Sequence, residues 1–319
     1  MSKIHKRNCI LCGEDNTSKI FNFTYSFLKN VRKSNPEKKY GWDETTNNWI
    51  VECKNCKCTY VNEIIKGNSQ DTASEKIDNQ QFKVELNEFY NPSNLVNNLH
   101  DLNYNESILI NILNNLKKKK DITLLDYGSG NAEFSMFKKK FHLKEIISYD
   151  PLYPKNINEI FQTLSIESKA TNTLDNIINI KKFDIIICQS VIEHVTNPDL
   201  EISNMKKLLN DGGIIYINNP YMNIKKDLNK LKNAKTVKKS DSISCYHVDH
   251  VNYMMPNIFL KLCKKNNLDI LNFWQKFYST NKKPSLNKLF KINTFSLVHY
   301  ILNSFKIYYK KQHFFLKLR

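Results

Sequence analysis

Arginine is nearly missing from this chain: of 48 basic residues only Arg7, Arg32 and Arg319 carry a guanidinium, the rest being lysine. Arginine is the side chain suited to bidentate reading of phosphates and base edges, so its scarcity argues against a sequence-specific nucleic-acid reader. Glycine is also scarce, at seven in 319 residues, which makes the placement of each one informative. Long apolar runs are absent. Stretches such as Ile185–Cys188 and Ile214–Ile217 fall far short of the roughly 18 residues a spanning helix needs, which excludes an integral helical membrane protein. The opening Met1-Ser-Lys-Ile-His-Lys-Arg7 is basic but leads into Asn8 and Cys9 without an apolar segment, so the expected location is cytoplasmic.

Acidic residues are outnumbered, 31 against 48, for a net charge of +17. The excess is local. Lys225–Lys239 holds seven lysines and one aspartate, and Lys264–Arg319 holds twelve basic residues and one aspartate. The remainder is balanced, so the charge belongs to two segments and not to the body of the protein.

Eight cysteines occur, and four of them form two C-x-x-C pairs, Cys9/Cys12 and Cys53/Cys56, with Cys58 close behind. Two thiolates three positions apart on a tight turn can occupy adjacent corners of a tetrahedron, and two such turns complete a structural zinc site. Gly13 fits the first turn. Redox activity and unconnected cysteines are the competing readings, but neither pair opens a helix after an expected strand, as a redox pair does. The wide separation of the pairs calls for an inserted loop, placed at Phe27–Asp43. Cys188, inside an apolar run, reads as a core residue.

Gly128 and Gly130 lie in Leu124-Leu-Asp-Tyr-Gly-Ser-Gly-Asn-Ala-Glu133, between a short apolar run and a helical pattern of Phe134, Phe137 and Phe141. This reads as strand, glycine turn, helix, an arrangement that brings backbone N–H groups near a ligand. Glu133 stands where a dinucleotide fingerprint has its third glycine, which disfavours a nicotinamide or flavin dinucleotide. A second strand, Glu145–Tyr149, ends in Asp150, where a carboxylate can accept both hydroxyls of a ribose. A buried strand over Phe183–Cys188 then leads to Gln189, Glu193 and His194. Asn197-Pro-Asp-Leu opens a helix that stops at Asp211-Gly-Gly213, and Ile214–Ile217 is the next strand. Strands alternating with helices require an α/β fold with a parallel sheet, whose ligands bind at the carboxyl ends of the strands.

At these residues the sequence resembles the class I S-adenosylmethionine-dependent methyltransferases. The likeness rests on Asp126-Tyr-Gly-Ser-Gly130, the acidic strand end at Asp150, Phe183–Val195 with its Glu-His pair, and the Asp211-Gly-Gly strand start. The cysteine pattern resembles the zinc-binding module that precedes the methyltransferase domain in a bacterial subgroup including sugar C-methyltransferases. The resemblance implies a Rossmann-like class I methyltransferase sheet with helices on both faces, preceded by a small zinc ribbon-like module. It divides the chain into a zinc module at 1–67, a connecting segment at 68–105, the methyltransferase domain at 106–280 and a basic amphipathic tail at 281–319. It further implies that Asp126, Gly128, Ser129 and Gly130 pass along the cofactor S-adenosylmethionine. Asp150 then binds its ribose and Gln189 lies beside its sulfonium methyl. Zn2+ is implied as a structural ion held by Cys9, Cys12, Cys53 and Cys56.

Methyl transfer needs an in-line nucleophile, exclusion of water and a group to take the acceptor's proton. His194 is the first candidate for that proton and His250 the second, with Glu193 in support; the competing roles are a strand or helix cap for His194 and a loop tie for His247 and His250. Lys225–Lys239 reads either as a lid suited to an anionic or phosphorylated small-molecule acceptor or as a solvated helix face. The apolar spacing around Phe295–Phe305 reads as a helix that docks on the protein, lies on the inner face of a membrane, or meets nucleic acid, the last least favoured. The expected function is methyl transfer to a small acceptor, a sugar or nucleotide-sugar. An RNA or tRNA methyltransferase and a non-catalytic zinc-stapled binding protein are the alternatives.

Overall fold

The computed structural model describes residues 5–33, 37, 42–64, 99–178, 181–220, 222–238, 241, 243–277 and 309–318. The N-terminal strands are β1 (His5–Lys6), β2 (Thr17–Thr24), β3 (Asn47–Cys53), β4 (Thr59–Val61) and β5 (Glu63–Ile64). Then come β6 (Thr123–Tyr127), β7 (Glu145–Tyr149), β8 (Lys169–Thr171), β9 (Phe183–Gln189), β10 (Leu209–Asn219), β11 (Asn252–Tyr253), β12 (Leu268–Phe277) and β13 (Tyr309–Leu318). The α-helices are α1 (Leu99–Asn115), α2 (Ile157–Thr163), α3 (Asp175–Ile178), α4 (Pro198–Lys207), α5 (Ile224–Lys232) and α6 (Pro256–Lys265).

The large sheet has the order β12-β13-β10-β9-β6-β7-β8. Its five strands from β10 to β8 are parallel, and β13 runs antiparallel between β10 and β12. Both faces are covered, which is why the middle of β9, Ile185–Cys188, is apolar on both sides. Ile185 and Ile187 pack with α1, through Tyr104, Ile108 and Ile112. Ile186 and Cys188 pack on the other side with Ile202 and Met205 of α4 and Phe259 and Leu262 of α6. Helix α4 starts where expected: the Asn197 side chain accepts from Leu200 N at 3.1 Å, Pro198 follows, and Lys206 and Lys207 occupy the last turn.

The N-terminal strands β2, β3 and β4 form an antiparallel sheet, and Phe21, Phe23 and Tyr25 alternate onto its buried face against Trp42, Ile50 and Val61. The fourth strand of this sheet is β11, from the far side of the large domain, pairing Asn252 with Tyr60 and Tyr253 with Thr59. The two parts of the chain therefore share a sheet.

Several expectations change. The pattern Phe134–Phe141 gives only a 3-10 turn, Glu133–Phe137, because Ala132 before it takes a left-handed backbone (φ 53°) and a three-residue spacing suffices to bury Phe134 and Phe137 together. The strand expected at Ile214 begins at Leu209, with irregular pairing between those two residues. Residues 309–318, assigned to a basic tail, are a strand of the large sheet. Phe315 faces the α1 side while Phe314 and Leu316 face the α6 side, the two-sided burial of an interior strand. Helix α1 runs across the boundary drawn at residue 105. The segment 65–98 and the helix expected near Phe295–Phe305 lie outside the described residues. Among the described residues no helix is long and apolar enough to cross a membrane.

Candidate active site

Consecutive strands β6, β7 and β8 run to one side of the large sheet and β9 and β10 to the other, so the chain order reverses between β6 and β9. Ligands of open α/β sheets bind at such a reversal, outside the carboxyl ends of the strands. A cavity of 340 Å³ opens there, lined by Tyr104, Asn105, Asp126, Gly128, Ser129, Gly130, Asn131, Glu133, Phe134, Gln189 and Ser190. Its volume suits a small molecule. Among the described residues that line it, two are carboxylates and none is basic. Burial, with Glu133 and Asp150 nearby, pushes the Asp126 carboxyl well above the usual range, so a cation in the cavity would relieve repulsion among these acids. The polar wall is connected: Gln189 Nε2 donates to Asn105 Oδ1 at 3.2 Å, and Asn105 Nδ2 donates to Glu133 Oε2 at 2.5 Å.

Asp126, Gly128, Ser129, Gly130 and Gln189 thus meet at one cavity, as the sequence implied. Asp150 has a further, structural role. Its Oδ2 accepts Gly130 N at 3.0 Å and its Oδ1 accepts Leu152 N at 2.9 Å, so it braces the glycine turn and is absent from the cavity lining. The turn's amides are also used internally: Gly128 N and Ser129 N both donate to Tyr149 O, at 2.8 and 2.9 Å. Tyr104 and Asn105 on α1 were missed by sequence reasoning; their signal was the helical spacing of Tyr104, Ile108, Leu109 and Ile112. At Gly128 the backbone has φ +72°, and a methyl group there would collide with Val191 Cγ2, at the start of the loop after β9. Gly128→Ala is expected to destabilise the protein by about 1–3 kcal/mol and to weaken ligand binding at the cavity, measured by thermal unfolding and calorimetry.

The loop that lines the cavity with Gln189 and Ser190 continues into Glu193 and His194. Donor atoms of Glu193, His194 and His250 lie within 4.8 Å of one another, and the His194 and His250 rings meet edge-on, 4.6 Å between centroids. His247 follows at 5.0 Å from His250. Each ring of the close pair is oriented by a backbone carbonyl: His194 Nδ1 donates to Asp249 O at 3.0 Å, and His250 Nδ1 donates to Cys245 O at 2.6 Å. A carbonyl only accepts, so Nδ1 carries hydrogen and each neutral ring keeps its lone pair on Nε2. Burial, then the neighbouring His194 and His247, hold the His250 pKa well below the ordinary histidine value, against the pull of Asp249. His250 is buried and His194 half-buried.

A family profile described as a methyltransferase domain matches residues 98–272, over half of the chain. The chain belongs to this methyltransferase family. The mixed, helix-covered sheet agrees with the class I fold expected of it. Among curated relatives, a ubiquinone biosynthesis O-methyltransferase of Pelagibacter ubique (strain HTCC1062) is 26% identical over 205 residues, covering 60% of this chain and 83% of the relative. The protein of the same description from Glaesserella parasuis serovar 5 (strain SH0165) is 36% identical over 62 residues, 19% of this chain and 25% of that one. Among solved structures, an S-adenosylmethionine-dependent methyltransferase from Clostridium acetobutylicum ATCC 824 has a TM-score of 0.43 at 12% identity, covering 68% of this chain and 89% of that one. The plantazolicin methyltransferase BpumL, in complex with SAH, has a TM-score of 0.42 at 15% identity, covering 76% and 98%.

Beside the methyltransferase domain, the four cysteines of the two C-x-x-C pairs converge. Cys9 Sγ lies 3.4 Å from Cys56 Sγ and Cys12 Sγ 3.5 Å from Cys53 Sγ, and all four sulfurs fall within 4.8 Å. A zinc–sulfur tetrahedron with arms of ~2.3 Å has edges of about 3.8 Å, so the set fits Zn2+. Both turns close alike: Gly13 N donates to Cys9 O at 2.8 Å and Lys57 N to Cys53 O at 3.0 Å, and Lys57 adopts the left-handed backbone (φ 65°) that Gly13 adopts at φ 80°. Between the pairs lie the β2–β3 hairpin and a short helical turn, Phe27–Val31, where a plain loop was expected. The lysine-rich segment is not over the cavity. Ile224 and Leu231 of α5 pack on the N-terminal sheet, Lys225 pairs with Glu52 of β3, and none of the described residues 225–238 lines the cavity.

Proposed function

We propose that the protein transfers a methyl group from S-adenosylmethionine to a small acceptor, a sugar or nucleotide-sugar, with Zn2+ held structurally by Cys9, Cys12, Cys53 and Cys56. The observation that carries the cofactor reading is the cavity at the strand-order reversal, with the carboxylates of Asp126 and Glu133 in its wall and no basic side chain among the described lining residues. A phosphate-bearing dinucleotide is repelled by such a wall, whereas a sulfonium and an ammonium group are attracted. When bound, S-adenosylmethionine supplies a methyl group on a cationic sulfur, with a neutral thioether as leaving group. The chain's own residues do the remaining work. Asp126 and Glu133 face the positive charge, Gln189 is held at the wall by Asn105, and Asp150 keeps the glycine turn in shape.

On the acceptor side, His194 takes the acceptor's proton on Nε2. Being half-buried, it can be reached, and the loop it stands on borders the cavity. His250 stands edge-on behind it and Glu193 beside it. The names of the two curated relatives, both O-methyltransferases, support an oxygen nucleophile that has a proton to lose. Helix α5 is tied to the histidine loop by the Tyr246 hydroxyl, which donates to Asp227 Oδ2 at 3.1 Å, and a lysine-bearing helix bonded to that loop supports a phosphorylated sugar as acceptor.

The test has two parts. Calorimetry should show one molecule of S-adenosylhomocysteine bound per chain. Labelled S-adenosylmethionine should then add one methyl mass to a member of a nucleotide-sugar panel. Transfer to RNA that disappears between low and moderate salt, or transfer to a phenolic hydroxyl alone, would replace the sugar reading. Absence of S-adenosylhomocysteine binding would overturn the cofactor assignment.

A further inference from the structure

Both arginines among the described residues perform the same task. Arg32 lies just after the Phe27–Val31 turn of the N-terminal part. Its two terminal nitrogens donate to Ser244 O at 3.2 Å and Ile243 O at 3.1 Å, at the entrance of the loop carrying His247 and His250. Arg7 stands two residues before Cys9. Its Nε donates to Val61 O at 2.7 Å, one Nη to Thr196 O at 2.6 Å, and the other Nη to Val251 O. Val251 is the exit of the histidine loop, and Thr196 follows His194 on the other loop. A single guanidinium therefore joins β4 to both segments that present the active-site histidines.

The surrounding bonds agree with this wiring. Val61 N donates to Val251 O at 2.9 Å, and Val251 N and Asn252 N donate to Glu193 O at 2.8 and 3.1 Å. Asn252 Nδ2 spans Ile192 O and Val195 O, both at 2.7 Å. Strand β4, which carries Val61, begins directly after Cys58, so the cysteine turn sets its direction. Lysine is the default cation of this chain, yet a lysine ammonium is a single point on a flexible stem. The planar fork that reaches separate carbonyls in fixed directions is specific to arginine.

We infer that Arg7 and Arg32 are positioning residues: from the cysteine-bearing module they clasp the two ends of the 243–251 loop and hold His250 against His194. The N-terminal module is thereby part of the acceptor side of the active site. The inference rests on the proposed function for the role of the histidines, but its geometry does not depend on that reading.

The test uses the full-length, metal-loaded protein with Arg7→Lys, Arg32→Lys and the double substitution, each of which keeps the charge. Turnover should fall roughly 10- to 100-fold for Arg7→Lys and further for the double variant. S-adenosylhomocysteine affinity should stay within about twofold, as expected for a change remote from the cofactor cavity. Histidine-labelled NMR supplies a readout independent of activity: the ring signals of His194, His247 and His250 should shift or broaden while that of His142, remote from the clasp, stays in place. Should Arg7→Lys fail to fold, Arg32→Lys carries the same NMR prediction. Unchanged ring signals with a lowered melting temperature alone would reduce the arginines to structural ties and overturn the inference. If no acceptor is methylated by the wild type, the proposed function falls, and the NMR comparison still decides the clasp.

Discussion

His194→Asn is expected to lower kcat for methyl transfer by about 10²- to 10⁴-fold, the usual worth of a positioned proton acceptor, with S-adenosylhomocysteine affinity unchanged within about twofold. Asparagine keeps an N–H that can reach Asp249 O, so the loop retains its tie while the Nε2 lone pair is lost. His250→Asn should have a smaller effect on kcat, because His250 acts through the ring it faces. The pH profile follows from the pair. Burial and the adjacent imidazoles hold His250 neutral to well below the ordinary histidine pKa, so its lone pair is present at neutral pH and is lost only as acid protonates the cluster. The same depressed value makes the fold less stable as pH falls below the unfolded histidine pKa of ~6.5, since the unfolded chain binds the proton more readily. Rates from pH 4 to 9 for wild type and both variants measure the kinetic expectations, and thermal unfolding over the same range measures the stability one; a larger loss for His250→Asn than for His194→Asn would place the proton acceptor at His250.

Cys53→Ser is expected to remove the metal and melt the N-terminal sheet. Cys53 is fully buried, ends β3, and starts the turn that leads into β4. Burial pushes the Cys56 thiol up while Cys58, donating to Cys9, draws Cys9 down to about 4, so without a cation these two facing sulfurs differ sharply in their hold on a proton. A divalent ion lets all four ionise, and structural zinc in small modules is worth about 10–16 kcal/mol in apparent binding free energy. Metal analysis should fall from one equivalent to none. Because β11 completes the same sheet and follows His250, methyl transfer should fall with it, although the cavity lies at the large sheet. A folded, metal-free and active Cys53→Ser would refute the structural role of the ion.

How much of this could be read from the chain depended on how local each signal was. Phe183–Gln189 was legible because its centre, Ile185–Cys188, is the short apolar run of a strand buried on both faces, and Glu145–Tyr149 because Ile146 and Ile147 lead to a polar strand end. The glycine turn and both cysteine pairs were legible because each is a short-range backbone demand. The histidine cluster was half-legible: Glu193 and His194 adjoin an expected strand end, while His250 joins them through tertiary bonds of the 249–252 segment to Glu193 and its neighbours, which no local spacing announces. Asp150 sat where a ribose-binding carboxylate was expected, yet nothing in the sequence indicated that Gly130 N and Leu152 N would occupy its oxygens. Strand β13 was hidden by its lysines, which mark the strand ends while His313 to Leu316 are buried. The two arginine clasps could not be found from spacing, since their partners lie up to 244 residues away.

The placement of β11 also bears on how the chain assembles. The N-terminal sheet cannot be completed from residues 5–64, because its fourth strand is formed some two hundred positions later, after the large sheet has most of its strands. Until then β4 is an open edge whose N–H and C=O groups are free to recruit any extended segment. Loop-closure entropy rises only slowly with length, so the distant partner is thermodynamically acceptable, but such non-local pairing slows folding. The cysteine module is therefore a unit in sequence and an incomplete one in folding: early metal capture can fix its turns, and the catalytic domain supplies the strand that closes its edge.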